Sequence, residues 1–186
     1  MTAHAEVAGH TPYPELQRYG LRLFIASEAF LFFVLFSARF YLLGFDKPEE
    51  LNIVLGLVLT AILMAASYFA HGASKAADSG DMKQLRTQLL ITIGLGATFI
   101  AIVAYEWNAA FVEFPMGTPY GSMFFLITGV HVLHLFIGML VLGSLVIQTK
   151  RGAITSSTTW KVHGGVTYWQ FVDVVWLTVF TVLYVL

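Results

Sequence analysis

Five long apolar runs, each nearly free of charge, restrict what this chain can fold into more than any other feature of its sequence. A bilayer core about 30 Å thick takes about 20 residues of helix at 1.5 Å per residue. Runs of that length lie near residues 20–43, 51–70, 85–105, 121–147 and 164–186. Inside hydrocarbon every backbone polar group has to be bonded within its own segment, so continuous runs of this kind read as helices. The expectation is an all-α membrane protein: a single five-span transmembrane bundle over residues 20–186, preceded by a tail of residues 1–19. The composition agrees, because 11% charged residues cannot coat a soluble surface that ordinarily needs about a quarter. The formal net charge is −1 and no basic cluster occurs, which excludes a nucleic-acid footprint. With no cysteine, disulfides, iron–sulfur ligands and thiolate metal sites are excluded too, so a metal here would need His, Met or carboxylate ligands.

Loop charges predict the orientation, since Lys and Arg near span ends stay preferentially on the cytoplasmic side. Arg18, Arg22, Lys75, Lys83, Arg86, Lys150, Arg151 and Lys161 all fall on one side of the five spans. The opposite loops hold Asp46, Lys47, Glu49, Glu50, Glu106 and Glu113. The N-terminus is therefore expected in the cytoplasm and the C-terminus in the periplasm. The start Met-Thr-Ala-His-Ala-Glu lacks the basic n-region of a secretory signal, and the first apolar run reads as a retained span. Small residues inside the spans (Gly56, Ala61, Ala65, Ala66, Gly94, Gly96, Gly129, Gly138, Gly143) predict close helix packing. Trp107 and Tyr120, near the outer ends, are placed where amphipathic rings favour the interface.

Ionisable groups in hydrocarbon are costly unless paired or hydrated, so Glu28, Arg39, His131, His134 and Asp173 each need an explanation. Depth arithmetic puts Glu28 and Asp173 roughly 12–14 Å from the cytoplasmic face, and His134 roughly 11 Å from it. Glu28 and His134 thus share a level. The sharper expectation is a carboxylate–imidazole contact between them, direct or through water or a lipid headgroup. The alternative gives each its own backbone group or water-filled crevice. His131 lies one turn further out on the same face. Arg39 is about 16 Å beyond Glu28, too far for an ion pair, and is expected to snorkel to the outer headgroups. Asp173 follows Tyr168, Trp169, Gln170 and Phe171, and reads as a structural contact to a neighbouring helix or subunit. His4, His10, His71 and His163 do not match the depth of His131, so neither a bis-His haem nor a copper site is expected, and no catalytic residue is assigned.

These residues resemble a family. LRLFIASEAFLFFVLFSARF (21–40), with Ser27 and Glu28, is similar to the Ser-Glu helix of subunit III of the haem–copper terminal oxidases. GDMKQLRTQLLITIGLG (80–96) resembles that family's basic loop and Thr-Ile-x-Leu-Gly helix, and Tyr105-Glu106-Trp107 its acidic-aromatic end. YGSMFFLITGVHVLHLFIG (120–138) resembles the Tyr-Gly-Ser, Thr-Gly, His-x-x-His and Ile-Gly pattern, and YWQFVDVVWL (168–177) the C-terminal signature. The chain departs from the longer, seven-span members in lacking their first two spans, as short bacterial forms do. It also carries Gln170 where the longer forms often have His.

The resemblance implies an accessory core subunit of an aerobic proton-pumping oxidase in the bacterial inner membrane. Haem and copper then belong to subunits I and II, subunit I is in direct contact, and phospholipid is bound in a cleft between helices. Glu28, His131 and His134 would lie in the lipid-associated interior, with Asp173, Trp169 and Arg39 as structural or subunit contacts. Partners implied are the other oxidase subunits, membrane lipids and, at a higher level of assembly, a respiratory supercomplex. The alternative that the resemblance leaves is an accessory subunit of a quinol oxidase or a nitric oxide reductase of the same superfamily. A reading of another class, a small proton or ion transporter, would call for broken segments near the midplane. The spans here are continuous, with no proline between 51 and 112 or after Pro119.

Overall fold

A computed structural model describes residues 14–44, 51–155 and 158–186. The described residues form helices and no strand: α1 (Pro14–Leu43), α2 (Ile53–Ser79), α3 (Met82–Glu113), α4 (Pro119–Lys150) and α5 (Trp160–Phe180). A π-helical turn, Thr181–Val185, continues α5. All five helices are long and apolar enough to cross a membrane. The expected loop charges Asp46, Lys47, Glu49 and Glu50, and residues 1–13 of the expected tail, lie outside the described residues.

Each helix overruns the apolar stretch that announced it, because hydropathy marks where lipid ends whereas caps mark where the helix ends. The expected second span stopped near Ala70, but α2 runs to Ser79, where Gly80 adopts φ +76° and donates its N–H to the Ala76 and Ala77 carbonyls. Asp81 then caps α3, its carboxylate accepting from Gln84 N at 2.8 Å. Thr118 caps α4 by accepting from Gly121 N at 3.0 Å, with Pro119 at the first helical position. At the N-terminus helix begins at Pro14, so residues 14–19 belong to α1 rather than to an irregular tail.

Short connections make successive helices antiparallel, and side-chain contacts confirm which ends meet. His163, early in α5, lies 2.8 Å from Asp78, late in α2. Tyr184, just beyond α5, reaches Glu106, late in α3. The eight basic residues of the orientation argument therefore gather at one end of the bundle.

Packing follows residue size. Along α2, Ala66, Ala70, Ala73 and Ala77 are buried, as are Leu85 and Leu89 on α3. Without a hydrophobic drive between helices in lipid, such small side chains let backbones approach and gain dispersion contact. Trp169 of α5 lies across two glycines: a Cβ on Gly96 would stand 2.7 Å from its ring, and one on Gly138 3.2 Å. Gly56 likewise admits the Phe180 ring. The expected close packing does not extend to Gly94 and Gly143, whose missing side chains face open space, nor to Ala61, which is exposed. α5 is the most enclosed helix and α1 the least: among the described side chains of α1 only Phe32 and Arg39 are buried.

Candidate functional site

Glu28 and His134 meet directly. The two side chains, 21% and 11% exposed, bring Glu28 Oε2 to 2.8 Å from His134 Nε2. The other ring nitrogen, Nδ1, lies 2.7 Å from the Val130 carbonyl oxygen one turn back. The direct contact between the two is thus formed, and only the His134 ring has a backbone partner beside it. Phe32 stands edge-on to the imidazole at 5.2 Å between centroids. From α5, the Tyr168 hydroxyl points at the His134 carbonyl from 3.4 Å.

A cleft lies beside this contact, and Tyr168 borders both. Between α1 and the basic ends of α4 and α5 lies a space of about 950 Å³. Arg18, Arg22, Lys161 and His163 line its mouth, while Phe24, Val141 and Tyr168 line its depth. A cationic rim above an apolar wall fits a ligand with an anionic head and a hydrocarbon body. The sequence uses these basic residues only for orientation, and only the packing of α1 beside α4 and α5 assembles them into a rim.

The remaining polar residues separate in space. His131, three residues from His134, is fully buried but turned toward other helices, 5.8 Å from the Phe99 ring and 5.2 Å from Trp176. A step of three residues rotates a side chain by about 60°, enough to give neighbouring histidines different partners. Asp173 is buried against α2, facing the Ser67 hydroxyl and the Trp169 indole, though neither makes an ordinary hydrogen bond to it. Trp169 is itself fully enclosed. Among the described residues no three His, Asp or Glu side chains converge as metal ligands.

Arg39 corrects an expectation. It does not snorkel to the headgroups: it is 0% exposed, donates from Nη1 to the Gly44 carbonyl at 2.6 Å, and lies over the Phe40 and Tyr120 rings. Its guanidinium is more weakly hydrated than an ammonium and stacks on aromatic faces, so burial costs it less. Tyr120 is also turned inward rather than set at the interface, and its hydroxyl donates to Leu183 O at 3.0 Å. Beside it lies a pair the sequence reading missed. Tyr184 donates to both oxygens of Glu106 at 2.9 Å, deep inside the end of the bundle opposite the basic residues. The sequence reads Glu106 as a loop charge because the apolar run stops at Tyr105. The helix continues to Glu113, and a carboxylate two turns inside a helix end is the signal that could have found it.

Comparison with known proteins gives a consistent answer. The family model described as Cytochrome c oxidase subunit III matches residues 7–186. A "Cytochrome c oxidase subunit 3" of Thermostichus vulcanus is 31% identical over 94% of this chain and 89% of its own length. A "Probable cytochrome c oxidase subunit 3" of Nocardia farcinica is 34% identical over 92% of this chain and 88% of its own. The platypus (Ornithorhynchus anatinus) "Cytochrome c oxidase subunit 3" is 35% identical over 90% of this chain but only 68% of its own, longer sequence.

Proposed function

Because the chain belongs to the cytochrome c oxidase subunit III family, we propose that it is the non-catalytic accessory core subunit of an aerobic respiratory haem–copper oxidase. In this reading electron transfer to oxygen and the haem and copper that carry it reside in subunits I and II. This chain packs beside subunit I, stabilises it and supports its proton uptake. The observation that carries the reading is the family match over residues 7–186, and the contacts of His134 with Glu28 and of Tyr168 with the His134 carbonyl support it.

The cleft is where this chain's own residues act. A phospholipid fits it with its phosphate at Arg18, Arg22 and Lys161 and its acyl chains along Phe24, Val141 and Tyr168, toward Glu28 and His134, while His131, turned to Phe99 and Trp176, lies off this path. Such a lipid fills the space between α1 and the rest of the bundle, as buried apolar surface would in a tighter fold. Asp173, Trp169 and Arg39 hold helices and, through them, subunit contacts. The gathering of basic residues at one end supports a multi-pass chain in the inner membrane with the N-terminus cytoplasmic.

The test is to tag the N-terminus, extract native membranes in mild detergent, and record co-purifying subunits, a reduced-minus-oxidised spectrum and oxygen consumption. Large partners arriving with haem absorption and oxygen uptake are expected. A chain that emerges alone and colourless overturns the assignment.

A further inference from the structure

Asp173 stands about 20 Å along α5 from Trp160, the first residue of that helix, with 2% of its surface exposed. Neither carboxyl oxygen has a hydrogen-bond partner, and neither does the Trp169 indole N–H one turn back on the same face of α5. The Ser67 hydroxyl faces the carboxyl from α2. Among the described residues no cation stands against it. The two ion pairs join Glu28 to His134 and Asp78 to His163. Arg39 is bound to Gly44, the remaining described Lys and Arg gather at the other end of the bundle, and His131 is turned to Phe99 and Trp176. Inside hydrocarbon an ionised carboxylate without a counter-charge is far costlier than the neutral acid. The acid also matches its surroundings: one O–H to give to a hydroxyl, and lone pairs to receive an indole N–H.

We propose that Asp173 is a binding site for one proton, held as a carboxylic acid that donates its O–H to the Ser67 hydroxyl and accepts the Trp169 indole N–H. Small torsional adjustments of the three side chains take these groups from facing one another to bonding. Ser67 then gives its own hydrogen to the Leu63 carbonyl four residues back, the usual bond of a serine within a helix. Every polar atom of the cluster is satisfied and the site carries no charge, as an interior in hydrocarbon demands. The acid is a positioning residue. Trp169, which it orients, lies across Gly96 of α3 and Gly138 of α4, and the neighbouring Tyr168 hydroxyl points at the His134 carbonyl. The bond to Ser67 adds α2, so a single protonated side chain on α5 fixes its packing against three helices. The inference stands on burial and contact geometry inside α2–α5, and holds whichever complex the chain joins and whether or not the cleft carries lipid.

The test uses the whole assembly purified through this chain at neutral pH, with and without 13C-aspartate. The infrared difference between wild type and Asp173→Asn is expected to contain the C=O stretch of a protonated carboxyl, displaced by the label, and no carboxylate bands. Ser67→Ala removes the acceptor of the acid's O–H and should move the same stretch to higher frequency. With 15N-tryptophan, the indole resonance assigned through Trp169→Phe should shift in Asp173→Leu. It should stay near its wild-type position in Asp173→Asn, whose amide also accepts from an N–H and donates to a hydroxyl. The thermal midpoint should hold in Asp173→Asn and fall in Asp173→Leu. Carboxylate bands in place of the acid stretch, or a midpoint raised in Asp173→Asn by relief of a buried charge, would overturn the protonated state. An indole resonance indifferent to Asp173→Leu, or an acid stretch indifferent to Ser67→Ala, would overturn the contacts. Should either Asp173 variant fail to assemble, Ser67→Ala against wild type, both carrying 13C-aspartate, reads the acid stretch alone: a shifted band supports the proton, and an unshifted or missing one overturns it. No readout depends on which subunits co-purify, so failure here is separable from failure of the oxidase assignment.

Discussion

At the scale of single residues, the Glu28–His134 contact was legible because depth is simple arithmetic on a helix: two spans entering from opposite faces put a carboxylate and an imidazole at one level. Azimuth was not legible in the same way. His131 sits three positions from His134 yet faces Phe99 and Trp176, and only the placement of α3 and α5 decides that. Glu106 and Tyr184 were invisible as a pair, since 78 residues separate them. Removing the hydroxyl by Tyr184→Phe leaves a buried carboxylate without its donor. This should cost about 1–3 kcal/mol, read as a lower denaturation midpoint of the purified assembly. Combining it with Glu106→Gln in a double-mutant cycle should return a coupling of roughly 0.5–3 kcal/mol, and additivity would show that the pair does not act as one unit.

Among the helices, existence and order were legible from length and hydropathy, while their ends were set by chemistry that hydropathy ignores. Gly80 and Asp81 stop one helix and start the next within two residues, well past Ala70, where the long apolar run ends. Asp81→Ala should therefore cost about 1 kcal/mol through the lost cap, measurable in the same denaturation assay. Packing offers a sharper contrast between two glycines of α3. Gly96→Ala drives a methyl group against the Trp169 ring and should destabilise by about 1–3 kcal/mol. Gly94→Ala meets no side chain within the chain and should be neutral or stabilising by up to about 1 kcal/mol, because alanine favours helix. Equal effects at both positions would contradict the helix rotation described above. Their equivalence in the sequence, two residues apart in Gly-Leu-Gly, shows why small residues alone do not identify a packing face.

For the whole molecule, the absence of native cysteine makes orientation directly testable. A membrane-impermeant maleimide should label Lys75→Cys only from the cytoplasmic side and Glu113→Cys only from the other; the reverse pattern would invert the bundle. Charge reversal at the cleft mouth, Arg22→Glu with Lys161→Glu, should lower the phospholipid retained per assembly, read by mass spectrometry of extracted lipid. The sequence by itself determined the class of environment, the number and order of helices, the segregation of positive charge to one end and the family. Each of these depends on local composition, on helical length against bilayer thickness, or on the order of motifs along the chain. Only the tertiary structure decided which polar residues meet, that Arg39 turns inward to Gly44 and Tyr120, and that α1, α4 and α5 enclose a cleft with a basic rim. The physical reason is that lipid is as apolar as the helix surfaces it covers. Hydropathy therefore cannot tell a side chain facing a neighbour from one facing the membrane, and that choice falls to shape and to the pairing of a few polar groups.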